Sequence, residues 1–190
     1  MATLSIDVDG LVQYLKKNSK GPEVVEALRH RAAIHFLNPS LDPLSSRMLK
    51  AYGRLCEIVV EPFTILDAGC MSGFLNHFMR QRLSNFSYTG IDPWEEALKV
   101  AREFQPGIDV RPIDINGNIP EMSTLPNGRV QQGWDYVWLS NIVFENPQAV
   151  YDKLLPFARR ALLIAQPPWA GEYPGEKIPC GETTIYRTKK

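Results

Sequence analysis

The chain has 190 residues, of which 44% are hydrophobic and 22% are charged, which suits one globular domain of ordinary composition. These values exclude a wholly disordered chain, a collagen-like repeat and a coiled coil. The 21 basic residues equal the 21 acidic residues in number, so no overall positive charge draws the chain to nucleic acid.

The chain also lacks the patterns of a secreted or membrane-spanning protein. Its first residues do not resemble a signal peptide, and no apolar run approaches the ~20 residues that cross a bilayer. The three cysteines, Cys56, Cys70 and Cys180, are scattered and form neither a disulfide framework nor a metal-binding pair. We therefore expect a cytoplasmic protein with reduced thiols, no membrane contact and no metal.

Residues 1–60 have the patterns of helices. One candidate covers residues 4–17. A second begins at Pro22, because proline at the first helical position loses no hydrogen bond, and it ends before Pro39. A third begins after Asp42, whose side chain caps free backbone amides. We expect these helices to form an N-terminal lid.

From residue 61 onward, short apolar segments alternate with helical ones. Predicted strands cover residues 63–66, 86–91, 108–113, 134–139 and 160–165, and predicted helices cover residues 72–83, 94–104 and 147–157. This alternation predicts an α/β fold with a doubly wound, mostly parallel sheet, and residues 61–190 form this domain.

The last 25 residues or so are rich in proline and glycine. They contain one strand-like segment at residues 183–187, so we expect a sheet of about six strands that is shortened at its C-terminal side. An edge left uncovered in this way would favour pairing in a homodimer.

Residues 67–73, with the sequence DAGCMSG, join the first strand to its helix, where open α/β sheets bind ligands. Gly69 allows a tight turn and close approach of a ligand, and Gly73 allows close helix–strand packing. The carboxylate of Asp67 would repel a pyrophosphate but suits a ligand with an ammonium group and hydroxyls. The alternative is a βα turn that binds nothing.

Two further acids follow the next two strands. Asp92, before Pro93 and Trp94, is placed to accept hydrogen bonds from both hydroxyls of a ribose or to cap the following helix. Asp114 is placed to accept from an adenine amino group while Ile115 covers the ring, and an ordinary loop acid is the alternative.

Taken together, these motifs resemble the class I S-adenosylmethionine-dependent methyltransferases over residues 63–166. Residues 67–73 resemble the first glycine motif of that family, and residues 134–141 resemble its fourth-strand motif. The resemblance implies a Rossmann-like domain that binds S-adenosylmethionine (SAM). The cofactor-binding residues it implies are Asp67, Gly69, Cys70, Met71, Gly73, Asp92, Pro93, Trp94, Asp114, Ile115, Ser140 and Asn141.

The chain departs from that family at Met71, where many members have a second glycine, and in its short C-terminal part. Residues 166–169, with the sequence QPPW, resemble the Asn-Pro-Pro-aromatic motif of methyltransferases that modify amino groups. That motif follows the fourth strand, however, whereas this segment follows the fifth, and a proline-rich exit loop is the alternative.

A catalytic base is not evident from the sequence. His35 and Glu145 are the candidates, because His35 lies in the predicted lid and Glu145 follows the fourth-strand motif. His30 and His77 are further histidines for which a structural role is the alternative.

The resemblance therefore implies transfer of a methyl group to an acceptor, and the balanced charge favours a small molecule as that acceptor. One alternative is a catalytically silent relative that binds only the cofactor or a protein partner. A nicotinamide-dependent oxidoreductase is disfavoured by the absence of a GxGxxG motif.

Overall fold

The computed structural model describes residues 22–37, 43–140, 146–166 and 172–190, so the predicted helix at residues 4–17 lies outside its described part. The α-helices in these ranges are α1 (Pro22–Leu37), α2 (Pro43–Ile58), α3 (Phe74–Arg80), α4 (Glu95–Phe104) and α5 (Pro147–Leu154), the last followed by a 3-10 turn (Leu155–Phe157). The strands are β1 (Phe63–Ala68), β2 (Phe86–Ile91), β3 (Val110–Arg111), β4 (Met122–Thr124), β5 (Val130–Gln132), β6 (Trp134–Ser140), β7 (Ala158–Gln166), β8 (Glu176–Cys180) and β9 (Thr183–Lys189). None of the helices within these ranges has the length and apolar character that crossing a membrane requires.

Seven strands form one sheet in the order β3-β2-β1-β6-β7-β9-β8, and β4 pairs with β5 separately. The first five strands in that order are parallel, whereas β9 is antiparallel to both of its neighbours. One apolar cluster packs α2, α3 and α4 on one face of the sheet, and another packs α5 on the other face. The prediction of a doubly wound α/β fold is confirmed, with seven strands rather than about six.

The additional strand comes from a C-terminal hairpin. β9 was predicted, but β8 was not, because five residues that include Pro179 form a weak strand pattern. β8 is an outer strand, where a proline is tolerated, and Pro179 opposes pairing with a further chain. The edge at which we expected a homodimer is therefore covered by this chain's own hairpin.

Other predicted boundaries also differ. The third strand covers only Val110–Arg111, because Pro112 has no backbone N–H to continue the ladder. The helix after the first turn begins at Phe74, because Gly73 has a left-handed backbone. The β4–β5 hairpin was not predicted, because its three-residue strands carry Met122 and Val130 as half-exposed side chains.

Helix α1 packs across α4. The Phe36 ring stacks on Phe104 with centroids 5.0 Å apart, and Arg29 forms two hydrogen bonds with Glu103, of 2.7 and 2.8 Å. An apolar cluster joins the helices through Leu28, Ala32, Trp94, Ala97 and Val100. These contacts hold α1 beside the segment that links β2 to α4.

A buried polar cluster joins three strands of the sheet near their amino-terminal ends. The side chain of Asp135 accepts a hydrogen bond from the Thr64 amide (3.0 Å), and the Thr64 hydroxyl accepts one from the Asp135 amide (2.9 Å). Asp135 also forms ion pairs with Arg160 at 3.2 Å and Arg159 at 3.6 Å. The cluster links β1, β6 and β7, away from the carboxyl ends where ligands are expected.

Candidate functional site

The turn after β1 has a backbone that alternates into the left-handed region. Gly69, Met71 and Gly73 have φ values of 81°, 46° and 71°. The amides of Gly69 and Cys70 donate to the carbonyl of Ile91, at 2.7 and 3.1 Å. The turn is therefore shaped by its own dihedral pattern and attached to the end of β2.

Gly73 is required by close packing as well as by its positive φ. A Cβ at this position would lie 2.7 Å from Cδ1 of Ile108 and 3.0 Å from Nε2 of Gln105. Nε2 of Gln105 donates to the Gly73 carbonyl at 2.8 Å. The predicted close packing is present, but the neighbour is the loop after α4 rather than a strand.

The two side chains at the centre of the turn point to different surroundings. Cys70 is buried in the apolar cluster under α2 and α3, and burial raises the pKa of its thiol well above 9.0. Met71 packs against the α1 cluster, and Nη1 of Arg31 lies 4.0 Å from its sulfur. The side chain of Met71 therefore connects the turn to α1.

Asp92 is buried at the end of β2 and uses both carboxylate oxygens. Oδ2 accepts from the Met71 amide at 3.0 Å, and Oδ1 accepts from the Trp94 amide at 2.9 Å. Trp94, not Asp92, is the N-cap residue of α4, so the predicted capping is displaced by two positions. Asp92 fixes the turn relative to the next helix, and Pro93 between them is exposed.

Asp67 is the most unusual polar residue of the site, since its carboxylate is only 4% exposed. Oδ2 accepts a hydrogen bond from the hydroxyl of Tyr88 at 2.7 Å. Within the described part of the chain, Oδ1 accepts no hydrogen bond. Burial raises the pKa of Asp67 to about 7, the neighbouring Asp92 charge adds to this, and the Tyr88 hydrogen bond opposes it.

Asp114 and Ile115 follow β3. Asp114 is exposed, and its Oδ1 accepts from the Asn116 amide at 2.7 Å. Ile115 is buried in the cluster that also contains Leu66 and Ile91. The acid is thus accessible at the predicted place, whereas the isoleucine side chain belongs to the core.

Ser140 ends β6 and is half-buried. Its side chain lies near Tyr52 from α2, a tyrosine that also lies near Asp67 and Arg31. Burial raises the pKa of Tyr52 above 10.0, so its hydroxyl stays protonated. Asn141, Glu145 and the Pro-Pro-Trp segment at residues 167–169 lie outside the described residues.

The histidines differ in their surroundings. The His35 ring lies 5.3 Å from that of Phe74, at the start of α3 and so next to the glycine turn. His77 approaches Gln81 at 2.9 Å, and burial lowers its pKa below 6.5. His30 is exposed on α1. His35 and His77 therefore both lie beside Phe74 at the end of the glycine turn.

Sequence reasoning missed Tyr52, Tyr88 and Trp138, which surround Asp67. Trp138 is the register partner of Asp67 in β6, and its ring centroid lies 6.1 Å from that of Tyr52. An alternating pattern places Tyr88 on the same face as Gly90, but the pairing that brings it to Asp67 depends on tertiary register.

A cleft of about 420 Å³ lies along the outer edge of β2, where β3 is too short to cover it, and Asn76, Arg80, Ser87, Gln105 and Asp109 are among its lining residues. Its lining also includes Tyr88 and Thr89 of β2 and Arg111 at the end of β3. Among the described residues, no cluster of His, Cys, Asp and Glu has a metal-binding arrangement.

The residues at the carboxyl ends of β1 and β2 fit an adenosyl amino acid. The buried Asp67 offers an unpartnered carboxylate oxygen to an ammonium group, and the glycine turn brings backbone close without side chains at Gly69 and Gly73. Asp92 is fixed between turn and helix, at the position where a ribose is bound in dinucleotide sites.

No protein-family model and no curated protein matches the chain. Solved structures do match it. The plantazolicin methyltransferase BpumL, in complex with a pentazolic desmethyl analogue and S-adenosylhomocysteine (SAH), has a TM-score of 0.54 at 20% identity over 84% of this chain and 57% of its own. A protein from Nostoc punctiforme assigned as an O-methyltransferase has a TM-score of 0.57 at 15% identity, over 83% and 61% of the two chains.

A third structure, assigned as a SAM-dependent methyltransferase from Methanococcus maripaludis, has a TM-score of 0.62 at 11% identity over 88% of this chain and 92% of its own. The chain therefore has the class I methyltransferase fold. It spans about three fifths of the length of the plantazolicin methyltransferase structures that it matches.

Proposed function

We propose that this chain is a SAM-dependent methyltransferase that acts on a small molecule in the cytoplasm. The observation that carries the proposal is the pair of buried carboxylates, Asp67 and Asp92, at the ends of adjacent strands around a turn with left-handed backbone at alternate positions. The class I fold supports it. The free cysteines fit a reducing compartment, and the balanced charge fits an uncharged or small acceptor.

In this proposal Asp67 binds the methionine ammonium, Asp92 the ribose and Asp114 the adenine edge, and Ser140 and Asn141 lie beside the methionine part. The turn residues Gly69, Cys70, Met71 and Gly73 contact the cofactor through their backbone, and Pro93, Trp94 and Ile115 shape its surroundings. The N-terminal helices act as the lid, because α1 packs on Met71 and Trp94.

The bound cofactor supplies a methyl group on a positively charged sulfur, and that charge is neutralised when the methyl leaves. The task of the chain's own residues is therefore alignment of the acceptor, which can contribute about 7–11 kcal/mol to lowering a barrier. A base is needed only for an acceptor that must lose a proton. His35 and Glu145 are the candidates for that role.

Thermal unfolding with SAH, SAM and, as a control, NADH tests the cofactor assignment. SAH at 100 times its dissociation constant should stabilise the protein by about 2.7 kcal/mol, whereas NADH should have no effect. Absence of any stabilisation by SAM and SAH would reject the proposal.

Incubation with methyl-labelled SAM and a metabolite extract tests activity. Label should appear in a low-molecular-mass product. Binding of SAH without transfer to any component of the extract would instead indicate a catalytically silent relative.

A further inference from the structure

Tyr88 and Asp67 form a buried pair at the carboxyl end of β1. The Tyr88 hydroxyl donates to Oδ2 of Asp67 at 2.7 Å, and both residues are more than nine-tenths buried. In the β1–β2 register, Tyr88 lies opposite Ile65 and Gly90 lies opposite Asp67. Tyr88 therefore lies two residues before Gly90, the register partner of Asp67, and its side chain extends along β2 to reach the carboxylate.

The Tyr88–Asp67 hydrogen bond requires glycine at position 90, because a side chain there would occupy the space of the tyrosine hydroxyl. A Cβ at Gly90 would lie 2.9 Å from the Tyr88 hydroxyl and 2.7 Å from Sγ of Cys70. Gly90 has no left-handed backbone that would otherwise require glycine. The missing side chain is thus explained by the approach of the tyrosine hydroxyl and the thiol.

A carboxylate is a costly partner for a buried tyrosine. A backbone carbonyl would satisfy the hydroxyl, whereas burial of a carboxylate disfavours its charged form. Oδ1 of Asp67 has no hydrogen-bond donor in the described part of the chain. A cation that reaches Oδ1 would complete the arrangement, and such a cation need not be part of the protein.

We propose that Tyr88 is a positioning residue for the ammonium group of the cofactor: its hydroxyl holds Oδ2 of Asp67 and stabilises the ionised carboxylate, which leaves Oδ1 for the ammonium. This inference rests on the proposed function, because it assigns the ammonium of SAM or SAH to Asp67. It assigns a role in cofactor binding to Tyr88, although Tyr88 does not itself contact the ligand.

The arrangement makes cofactor binding dependent on pH. Burial raises the pKa of Asp67 to about 7, so the free protein is partly protonated there in neutral solution, and binding an ammonium requires the ionised form. The other groups that face Asp67 are Tyr52, Cys70, Asp92 and Tyr88, and Arg31 lies beyond Tyr52. The tyrosines and the thiol stay neutral in this range, because burial raises the pKa of each.

The affinity for SAH is therefore expected to fall about tenfold from pH 8 to pH 6, a range in which the ammonium of the ligand keeps its proton. Removal of the Tyr88 hydroxyl takes away the hydrogen bond that lowers the pKa of Asp67, so the midpoint of this fall should move upward by about one pH unit. Tyr88→Phe should bind SAH about tenfold more weakly than the wild type at pH 6 and within about twofold of it at pH 9.

Isothermal titration calorimetry of SAH between pH 5.5 and pH 9 measures this difference. Tyr151→Phe is the matched variant, because Tyr151 is also buried and its hydroxyl donates a partly buried hydrogen bond, to Thr188 at 3.0 Å, away from the site. Its pH profile should equal that of the wild type. 5′-Methylthioadenosine, which lacks the ammonium, should bind all three proteins without this pH dependence.

An unchanged SAH midpoint in folded Tyr88→Phe would overturn the positioning role while leaving the proposed function intact. Failure of both SAH and 5′-methylthioadenosine to bind the wild type at pH 8 would overturn both. Should Tyr88→Phe not fold, 3-fluorotyrosine incorporated into the wild-type chain replaces it as the test: the stronger donor at Tyr88 should move the SAH midpoint downward, and an unmoved midpoint rejects the inference.

Discussion

At the scale of single residues, Met71 is the one non-glycine residue of the described part of the chain with a positive φ, 46°. Left-handed backbone costs a residue with a Cβ about 1–2 kcal/mol relative to glycine. Packing of the thioether against the α1 cluster offsets this cost. The chain thus keeps the backbone of a glycine position while using the side chain to attach a helix.

Substitutions at Met71 should show the backbone cost directly. Met71→Gly and Met71→Ala both lose the side-chain packing, but only alanine keeps the strain, so Met71→Ala should be less stable by about 1 kcal/mol. Urea unfolding measures the difference. Lys99, exposed in the interior of α4, is the control site, where glycine should instead be the less stable residue by about 1 kcal/mol.

Asp92 should contribute to both stability and affinity. Asp92→Ala leaves the Met71 and Trp94 amides without their acceptor, so it should cost about 1–3 kcal/mol of folding free energy. SAH affinity should fall by a similar free energy, about 10- to 100-fold. Isothermal titration calorimetry measures the SAH affinity of the folded variant. An affinity equal to that of the wild type would mean that Asp92 organises the turn but does not bind the cofactor.

The exposed Asp114 provides the comparison for Asp92. Asp114→Ala should alter the unfolding free energy by no more than about 0.5 kcal/mol, since substitutions at the surface have little effect. A large loss of stability in Asp114→Ala would contradict the placement of this acid at the surface.

At the scale of elements, the buried cluster around Thr64 and Asp135 joins three strands. Asp135→Ala should destabilise the protein by about 1–3 kcal/mol, because the buried Thr64 amide loses its acceptor. Its ion-pair partners Arg159 and Arg160 are close to half-exposed, so their loss contributes little. Asp135→Asn keeps an oxygen for the amide and should lose less, as thermal unfolding would show.

The sequence predicts an element well where a continuous apolar segment or an apolar stripe at helical spacing marks its buried side chains. β1 is buried throughout and β6 is buried up to Ser140, so both strands read as largely apolar segments, and α4 has a clear apolar stripe. β8 is short, outer and interrupted by Pro179, and the β4–β5 hairpin exposes its apolar residues. Such edge elements depend on tertiary pairing, which local composition does not encode.

The site itself could be predicted where it is local. Residues 67–73 and Asp92 could be predicted because turn chemistry and strand ends are contiguous in sequence. Tyr88 and Tyr52 could not, because their contacts with Asp67 and Ser140 depend on strand register and on the packing of α2. Ile115 was expected to cover the adenine ring, and its side chain packs beside Leu66 and Ile91, a tertiary contact that the local sequence does not encode.

At the scale of the whole molecule, Asp67 should make the ligand-free protein less stable as pH rises. Its folded-state pKa is about 7, against 3.8 ordinarily, so the folded state binds the proton more tightly than the unfolded state. The contribution of Asp67 to the unfolding free energy should therefore decline by about 1.4 kcal/mol per pH unit between pH 4 and pH 7.

Asp67→Asn removes this dependence. Relative to the wild type, the variant should gain stability progressively above pH 4 and be more stable at pH 8, while binding SAH more weakly. Urea unfolding at several pH values, with both proteins measured in parallel, tests this. A constant difference between the two proteins across that range would contradict it.

The place of the site in the sheet also has a consequence for folding kinetics. The site spans the carboxyl ends of β1, β2 and β6, and β6 lies beside β1 although Asp67 and its register partner Trp138 are 71 positions apart in sequence. β1, β2 and β3 come from one continuous stretch of chain, whereas joining β6 to β1 requires a long loop to close, which is slow. We expect refolding chains to form the glycine turn before the pocket, so that ligand binding is acquired last.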